Sequence, residues 1–540
     1  SQRVDALFQR FSDAYRALLE RGIARTGIVA ATMVVSVVLA CVLAWIVPKE
    51  LAPREDRGAF FVMVNGPEGA GFDYTLTQMR EVESRLLKYV DEGLASRVNT
   101  RTPRGMGGTQ TEEMHTGQAI VLMAPWEERD VDTFTVMERA RRELDEIPGV
   151  RVFPQMRQGL SRGFGQPVQF VIGGPDYEQL VGWRDRMLQA IATNPKLVAV
   201  DTDYKETRPQ LRIEIDRARA ADLGVSVDEI GTTLETMMGG RRVTTFSREG
   251  EEYDVIVQGR SEDRRQPSDL TNVYVRSQRS GELIPLANLV TLNEVAEPGS
   301  LNRFGRLRAI TISAALAPGY TLGEALDWLD ATAAEVLPRA AVVDYRGDSR
   351  ELRQQGASIA FTFAMALLIV YLVLAAQFES FVHPFTILLT VPLAVLGALA
   401  GLLAFGSSLN LFSQVGIVML VGLASKNGIL IVEFANQLRD EGMELRKAVI
   451  EASVVRLRPI VMTSIATVVG ALPLVLATGA GSSSRVTIGI TIVFGVSVST
   501  VLSLLVVPSI YLRLARYTDS PETVTRELEK LDAANPETAH

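Results

Sequence analysis

Lys426 lies in the middle of an apolar run, Val415–Glu433, between Gly422-Leu423-Ala424-Ser425 and Asn427-Gly428-Ile429. A lysine at the centre of a membrane span costs about 2.5–3.5 kcal/mol on insertion scales, so it faces a bundle interior and pairs with an acid. Its central position argues against the ordinary alternative, an amine that snorkels to the interface. Glu433 is seven residues on and shares the face, but it lies about 10 Å along the axis and is a poor direct partner. No other Asp or Glu falls well inside an apolar run. Either burial keeps Lys426 neutral, or another polypeptide or segment supplies the carboxylate, and the second reading is favoured. Arg456 and Arg458 stand before Pro459, where the next apolar run begins, and Arg458 reads equally as a membrane anchor. Thr463 and Ser464, one turn further in, bond their own helix backbone or line a polar path.

The elements that must hold these residues are membrane spans. Six apolar runs, about 28–47, 357–377, 384–404, 411–436, 459–478 and 486–512, are long enough to cross about 30 Å of hydrocarbon. Arg3, Arg10, Arg16, Arg21 and Arg25 precede the first run. Arg439, Arg446, Lys447, Arg456 and Arg458 join the fourth to the fifth, and Arg513 and Arg516 follow the last. With six spans all three basic flanks share one side, which the positive-inside rule makes cytoplasmic. The stretch between the first two spans then lies outside. Val4, Leu7, Phe8, Phe11, Tyr15, Leu18 and Leu19 form one apolar stripe, read as an interfacial helix over 1–26. The first run is too long for a signal peptide and lacks a cleavage site, so Ser1 reads as a cut or processing point.

Composition excludes several functions. The net charge of −8, without a Lys/Arg cluster, argues against a nucleic-acid partner. Cys41 is the only cysteine, so an intrachain disulfide is impossible. His115, His383 and His540 are scattered and leave almost nothing for a metal. No nucleophile–base arrangement stands out, and Glu112-Glu113 and Glu249–Glu252 read as solvated turns. Gly479–Ser484 lacks the Lys-Ser/Thr ending of a phosphate loop, and His383, before Pro384, reads as a loop residue.

The exterior segment alternates strand and helix patterns. Strand 59–64, helix 72–92, strands 96–100 and 118–124, helix 132–146 and strand 150–153 give β-α-β-β-α-β, the ferredoxin-like order. A second set comprises 167–172, 177–193, 198–204, 210–216 and 227–238, and finishes with 307–314, 321–337 and 341–345. Between them lies a β-rich insert with a hairpin around Arg248–Glu252. The expected divisions are 1–26, 27–48, 49–160, 161–238 with 298–350, the insert 239–297, the five-span bundle 351–512 and the tail 513–540.

Several stretches resemble resistance–nodulation–division exporters of the hydrophobe/amphiphile efflux (AcrB-type) branch. These are Gly422–Ala435 around Lys426, Arg456-Leu457-Arg458-Pro459-Ile460-Val461-Met462-Thr463-Ser464, Thr478-Gly479-Ala480-Gly481-Ser482, and Leu51-Ala52-Pro53-Arg54-Glu55-Asp56-Arg57-Gly58. The resemblance is to the second copy of a tandem duplication. It implies a six-span α-helical bundle with α+β periplasmic porter subdomains and an inserted docking subdomain, in a Gram-negative inner membrane. It further implies a homotrimer in the lipid bilayer, joined to a periplasmic adaptor and an outer-membrane channel, that exports hydrophobic and small amphiphilic compounds. The energy source is the proton gradient, with no cofactor and no covalent catalysis. Lys426 matches the family lysine that pairs with two aspartates of the first copy, so an N-terminal half in cis or trans is a required partner. Arg456 and Thr463 match further members of the proton relay. A superfamily lipid exporter or a translocation helper built from separate halves is the alternative. A sensor is disfavoured because the stretch after Arg516 is short and polar.

The family's substrate switch loop corresponds to Pro103–His115, with Arg104, Gly105, Met106, Gly107, Gly108 and Met114. It contains no Phe, Tyr or Trp. The glycines permit a mobile loop and the methionines adaptable apolar contact, while a solvated surface loop fits equally well.

Overall fold

The computed structural model describes residues 2–53, 55–104, 113–156 and 166–517, without the side chains of 2–7, 355–358 and 517. Helix α1 (Gln2–Ala24) buries Tyr15, Leu19 and Ile23, one turn apart, and leaves Phe11 and Leu18 half exposed. The predicted single stripe therefore splits into a packed face and an open one. Helix α2 (Thr26–Ile46) has no charged residue and, at 1.5 Å per residue, is about 30 Å long. It buries only the stripe Val29, Met33, Ser36 and Ala40.

The first α/β layer comprises β1 (Ala59–Asn65), α3 (Phe72–Asp91), β2 (Ala95–Arg101), β3 (Thr116–Met123), α4 (Thr133–Leu144) and β4 (Arg151–Met156), in the antiparallel order β2-β3-β1-β4. Strand period two meets helix period 3.6 in its core. Phe60, Val62 and Val64 all point to one face, against Met79, Val82 and Leu86 of α3 and Val136, Ala140 and Leu144 of α4. Burying each such large side chain contributes about 1.5–3 kcal/mol. Asp132 caps α4 by accepting from the Thr135 N–H at 2.7 Å.

The second layer begins with β5 (Val168–Gly174), α5 (Tyr177–Ile191) and β6 (Leu197–Thr202). The chain then leaves it for a separate compact unit, Tyr204–Leu301 together with Gly66–Gly71. That unit holds β7 (Arg208–Ile215), α6 (Arg217–Asp222), α7 (Val227–Leu234), the hairpin β8 (Arg241–Arg248) and β9 (Glu251–Val257), then β10 (Tyr274–Arg276), β11 (Leu283–Pro285) and β12 (Val290–Glu297). The hairpin turns on Glu249 and Gly250, both with positive φ, as a tight twisted turn requires. Here the sequence reading is corrected. The strand near 210–216 and the helix near 227–238 do not belong to the second layer. β7 pairs along its whole length with β12, from Arg208↔Glu297 to Ile215↔Val290.

The second layer resumes with β13 (Arg303–Phe304), β14 (Leu307–Leu316), α8 (Leu322–Val336) and β15 (Val342–Tyr345). β14 pairs with β6 and β13 on one side and with β5 on the other, and β15 lies beyond β5. The strand order thus repeats that of the first layer. The points where the chain leaves and re-enters are fastened together: Asp203 accepts from Asn302 Nδ2 at 3.0 Å and from the Thr311 N–H at 2.7 Å.

The remaining helices are α9 (Gly347–Phe378), α10 (Val382–Leu388), α11 (Thr390–Ala404), α12 (Leu411–Asp440), α13 (Leu445–Val475) and α14 (Ser482–Leu514). With α10 and α11 taken as one crossing and α2 added, six helices among the described residues are long and apolar enough to span a membrane, as expected. Gly397 and Gly401 let α11 and α14 touch, since a Cβ at either would lie within 2.7 Å of Phe494 atoms. Asn410 caps α12 through the N–H groups of Phe412 and Ser413 at 3.0 and 3.1 Å. His383 is not the loop residue expected. It lies in α10, fully buried, its ring 6.1 Å from that of Phe378 and 5.6 Å from that of Tyr511. Pro384 starts this helix rather than breaking the chain, because a first-turn proline sacrifices no helical bond.

Candidate functional site

Helix α12 places Lys426 half-way along its length, on a stripe with Val415, Met419 and Gly422 that stays exposed. The neighbouring α13 is similarly bare: 11 % of its most apolar stretch is buried, against 56 % for α12. Lys426, Leu423 and Asn427 of α12, Thr463, Ser464 and Thr467 of α13, and Val496 of α14 line a recess of about 10 Å³. That space holds no more than about one water.

A polar chain runs behind the lysine. Asn427 Nδ2 donates to Thr500 Oγ1 at 3.1 Å, and Thr500 Oγ1 lies 2.9 Å from Ser464 Oγ and 2.7 Å from the Val496 carbonyl. The single Thr500 proton can serve only one of these acceptors at a time. Thr463 Oγ1 bonds the Ile460 carbonyl at 3.2 Å, and Thr467 Oγ1 bonds the Thr463 carbonyl at 2.9 Å. Thr463 therefore does both things expected of it, bonding its own helix while lining the recess. Among the described residues, none offers Lys426 an ion pair or a hydrogen bond. Glu433 instead accepts from Gln437 at 3.3 Å.

The structure brings Lys426 and Thr463 together but not Arg456, which lies about 10 Å from Thr463 along α13. Its guanidinium stacks over Phe434 at 4.4 Å, and that of Arg458 lies 5.5 Å from the Phe8 ring centre of α1. Of the residues expected in a switch loop, Arg104 has Nη1 3.5 Å from Asn65 Oδ1, and Met114 is exposed. Gly105, Met106, Gly107 and Gly108 lie outside the described residues. Asn427, Thr467 and Thr500 escaped the sequence reading, although each is a polar residue within a span, which is the signal that marks Lys426.

A second polar site joins the first α/β layer to the spans. Asp56 accepts from Arg129 Nη2 at 3.0 Å, Thr133 Oγ1 at 2.6 Å, and the N–H groups of Thr133 and Gly58 at 2.7 and 2.9 Å. Its carbonyl receives the Gly481 N–H at 3.1 Å, and Glu55 receives the Ser484 N–H at 3.1 Å, both at the start of α14. Burial pushes the Asp56 carboxyl upward, but the bonds from Arg129, Thr133 and Gly58 outweigh it and hold the group below its ordinary range. A second tether runs through 48–50. The Pro48 carbonyl receives the Leu409 N–H, and the Lys49 carbonyl receives that of Gly323 in α8, where a Cβ would come within 2.8 Å of it.

The AcrB/AcrD/AcrF family model matches residues 1–515. The chain belongs to that family. An uncharacterized transporter of Haemophilus influenzae is 34 % identical over 474 residues, 86 % of this chain and 45 % of its own length. The multidrug/solvent efflux pump membrane transporter MepB of Pseudomonas putida is 33 % identical over 483 residues, 88 % of this chain and 45 % of its own. The toluene efflux pump membrane transporter TtgE of Pseudomonas putida is 34 % identical over 475 residues, 86 % and 45 % respectively. This AcrB/AcrD/AcrF-family chain thus spans about half the length of the curated relatives it matches, and it is a multi-pass inner-membrane protein of a transporter family.

Proposed function

We propose that this chain is the C-terminal half of a proton-driven exporter of hydrophobic and amphiphilic compounds. The observation that carries the reading is Lys426, exposed on an apolar helix face beside a water-sized polar recess and without an acid among the described residues. A charge so placed calls for a carboxylate from a facing helix, and an N-terminal half, in cis or in trans, is its source. When that acid is ionised it holds Lys426. When it is protonated the attraction lapses, α12 and α13 are released, and the Thr500 proton exchanges between Ser464 of α13 and the Val496 carbonyl of its own helix.

The motion reaches the exterior through α9, the 48–50 tether and the Asp56 joint. The two α/β layers act as ferredoxin-like periplasmic porter subdomains, and the 204–301 unit as the docking subdomain. Arg456 and Thr463 extend the relay, and Arg104 to Met114 form the switch loop. Both termini are cytoplasmic, and the assembly is a homotrimer engaged with an adaptor and an outer-membrane channel. The printed names of the relatives support toluene-like solvents and drugs as substrates. The test is dye extrusion driven by an imposed pH gradient in cells carrying Lys426→Ala. Abolished extrusion is expected, and extrusion at the unmodified rate would refute the relay.

A further inference from the structure

Helix α14 contains Pro508. Proline has no N–H, so the carbonyl four residues earlier, that of Leu504, loses its intrahelical donor. Inside a bilayer no water replaces that donor, and a group elsewhere in the protein can take its place. It comes from a different helix: Tyr15 of α1 donates its hydroxyl to the Leu504 carbonyl at 2.7 Å, and both residues are buried. Pro459 and Pro473 of α13 likewise free the carbonyls of Val455 and Val469. Among the described residues, neither of these takes a donor from another helix. Burial pushes the Tyr15 hydroxyl well above its usual range, against the smaller opposing effect of Ser453, so it remains a donor at every physiological pH.

Leu504 stands one turn beyond Thr500 on α14, the residue that bonds Asn427 and faces Ser464. We propose that Tyr15 is a positioning residue for transport: its hydroxyl fixes α14 at the Pro508 interruption and so sets where Thr500 sits beside Lys426. α1 is well held for the task, with Leu19 and Ile23 buried alongside Tyr15 and Arg16 paired to Glu451 of α13 at 2.6 Å. The consequence for transport rests on the function proposed above, whereas the link between Tyr15 and the proline does not.

The test is a double-mutant cycle of Tyr15→Phe and Pro508→Ala in the membrane-inserted full-length protein, read by thermal unfolding and by efflux. Pro508→Ala returns the N–H that the Leu504 carbonyl lacks. Tyr15→Phe is expected to lower the unfolding midpoint by about 2 °C and slow efflux about five-fold when Pro508 is present. With Pro508→Ala it should change efflux by less than about 1.5-fold. Equal losses in both backgrounds overturn the proposal. So does an Arg16→Ala loss as large as that of Tyr15→Phe, because general docking of α1 would then suffice. Coupling in unfolding without coupling in efflux overturns the positioning role. Full efflux by Lys426→Ala would instead overturn the proton relay and leave the unfolding cycle as evidence for the link.

Discussion

Asp56 lies where the first α/β layer meets the spans and Lys426 lies within a span, and the chain treats the two charges in opposite ways. Asp56 sits beside Arg129, whose side chain is 2 % exposed, and receives hydrogen bonds from Arg129, from the Thr133 hydroxyl and from two backbone N–H groups. Lys426 receives no partner among the described residues and stands on an open face. A satisfied buried charge fixes geometry, because every alternative arrangement leaves a polar group stranded. An unsatisfied one awaits a partner whose arrival and departure change the energy of the surrounding helices. The first joins the first α/β layer to α14, and the second offers a handle on α12.

The comparison breaks most sharply if function follows the closed site rather than the open one. Lys426→Ala should reduce gradient-driven extrusion by at least roughly 100-fold, an effect of a lost charge pair of about 3 kcal/mol. In the separately expressed chain, the same change should raise stability, since it removes a charge from a lipid-facing surface. At Asp56 the sign reverses. Asp56→Ala strands the Arg129 guanidinium and should lower unfolding stability by about 3–5 kcal/mol, measured by thermal or denaturant melting in detergent.

Acid sharpens the contrast. Because the Asp56 carboxyl is held below its ordinary range, its contribution is fully present above about pH 4. It is lost as pH falls through the lowered folded value. Glu55, also held low by Ser484 and Arg57 despite burial, adds to the same limb. Asp56→Asn should therefore flatten the low-pH loss of stability in a melting series.

Smaller effects follow for the residues around each charge. Thr500→Val keeps the side-chain shape but removes the hydroxyl between Asn427 and Ser464, and should slow extrusion about ten-fold through a loss of about 1–2 kcal/mol. Arg16→Ala removes an ion pair whose side chains are 44 % and 42 % exposed, and should cost no more than about 0.5 kcal/mol in melting experiments.

Much of this was legible in the sequence. Apolar runs mark all six crossings, five of them uninterrupted by charge, and short apolar runs rich in β-branched and aromatic residues at 59–64 and 118–124 mark two strands of the first layer. Lys426 was visible because a charge among some twenty apolar residues has few structural explanations. Other features depend on residues far apart in the chain. The alternation in β7 fits either sheet, and only its pairing with 290–297 shows which one it joins. Asp56 and Arg129 lie 73 residues apart, and Tyr15 lies 489 residues from Leu504. Nothing local to either residue of these pairs announces the other. His383 was misread because a proline beside it signals a turn as readily as a helix start.

The hydrogen bond between Asn302 and Asp203 closes the second layer at the very point where the chain departs and returns. A segment that begins and ends at one fastening adds no strand to the layer and interrupts none of its ladders. It is an appendage in evolutionary terms, free to be lengthened, exchanged or shortened without a new solution for the strand order of the layer. Replacing 204–301 with a short flexible bridge should leave the second layer folded. The length and sequence of 204–301 can therefore change while the second layer keeps its strands and their order.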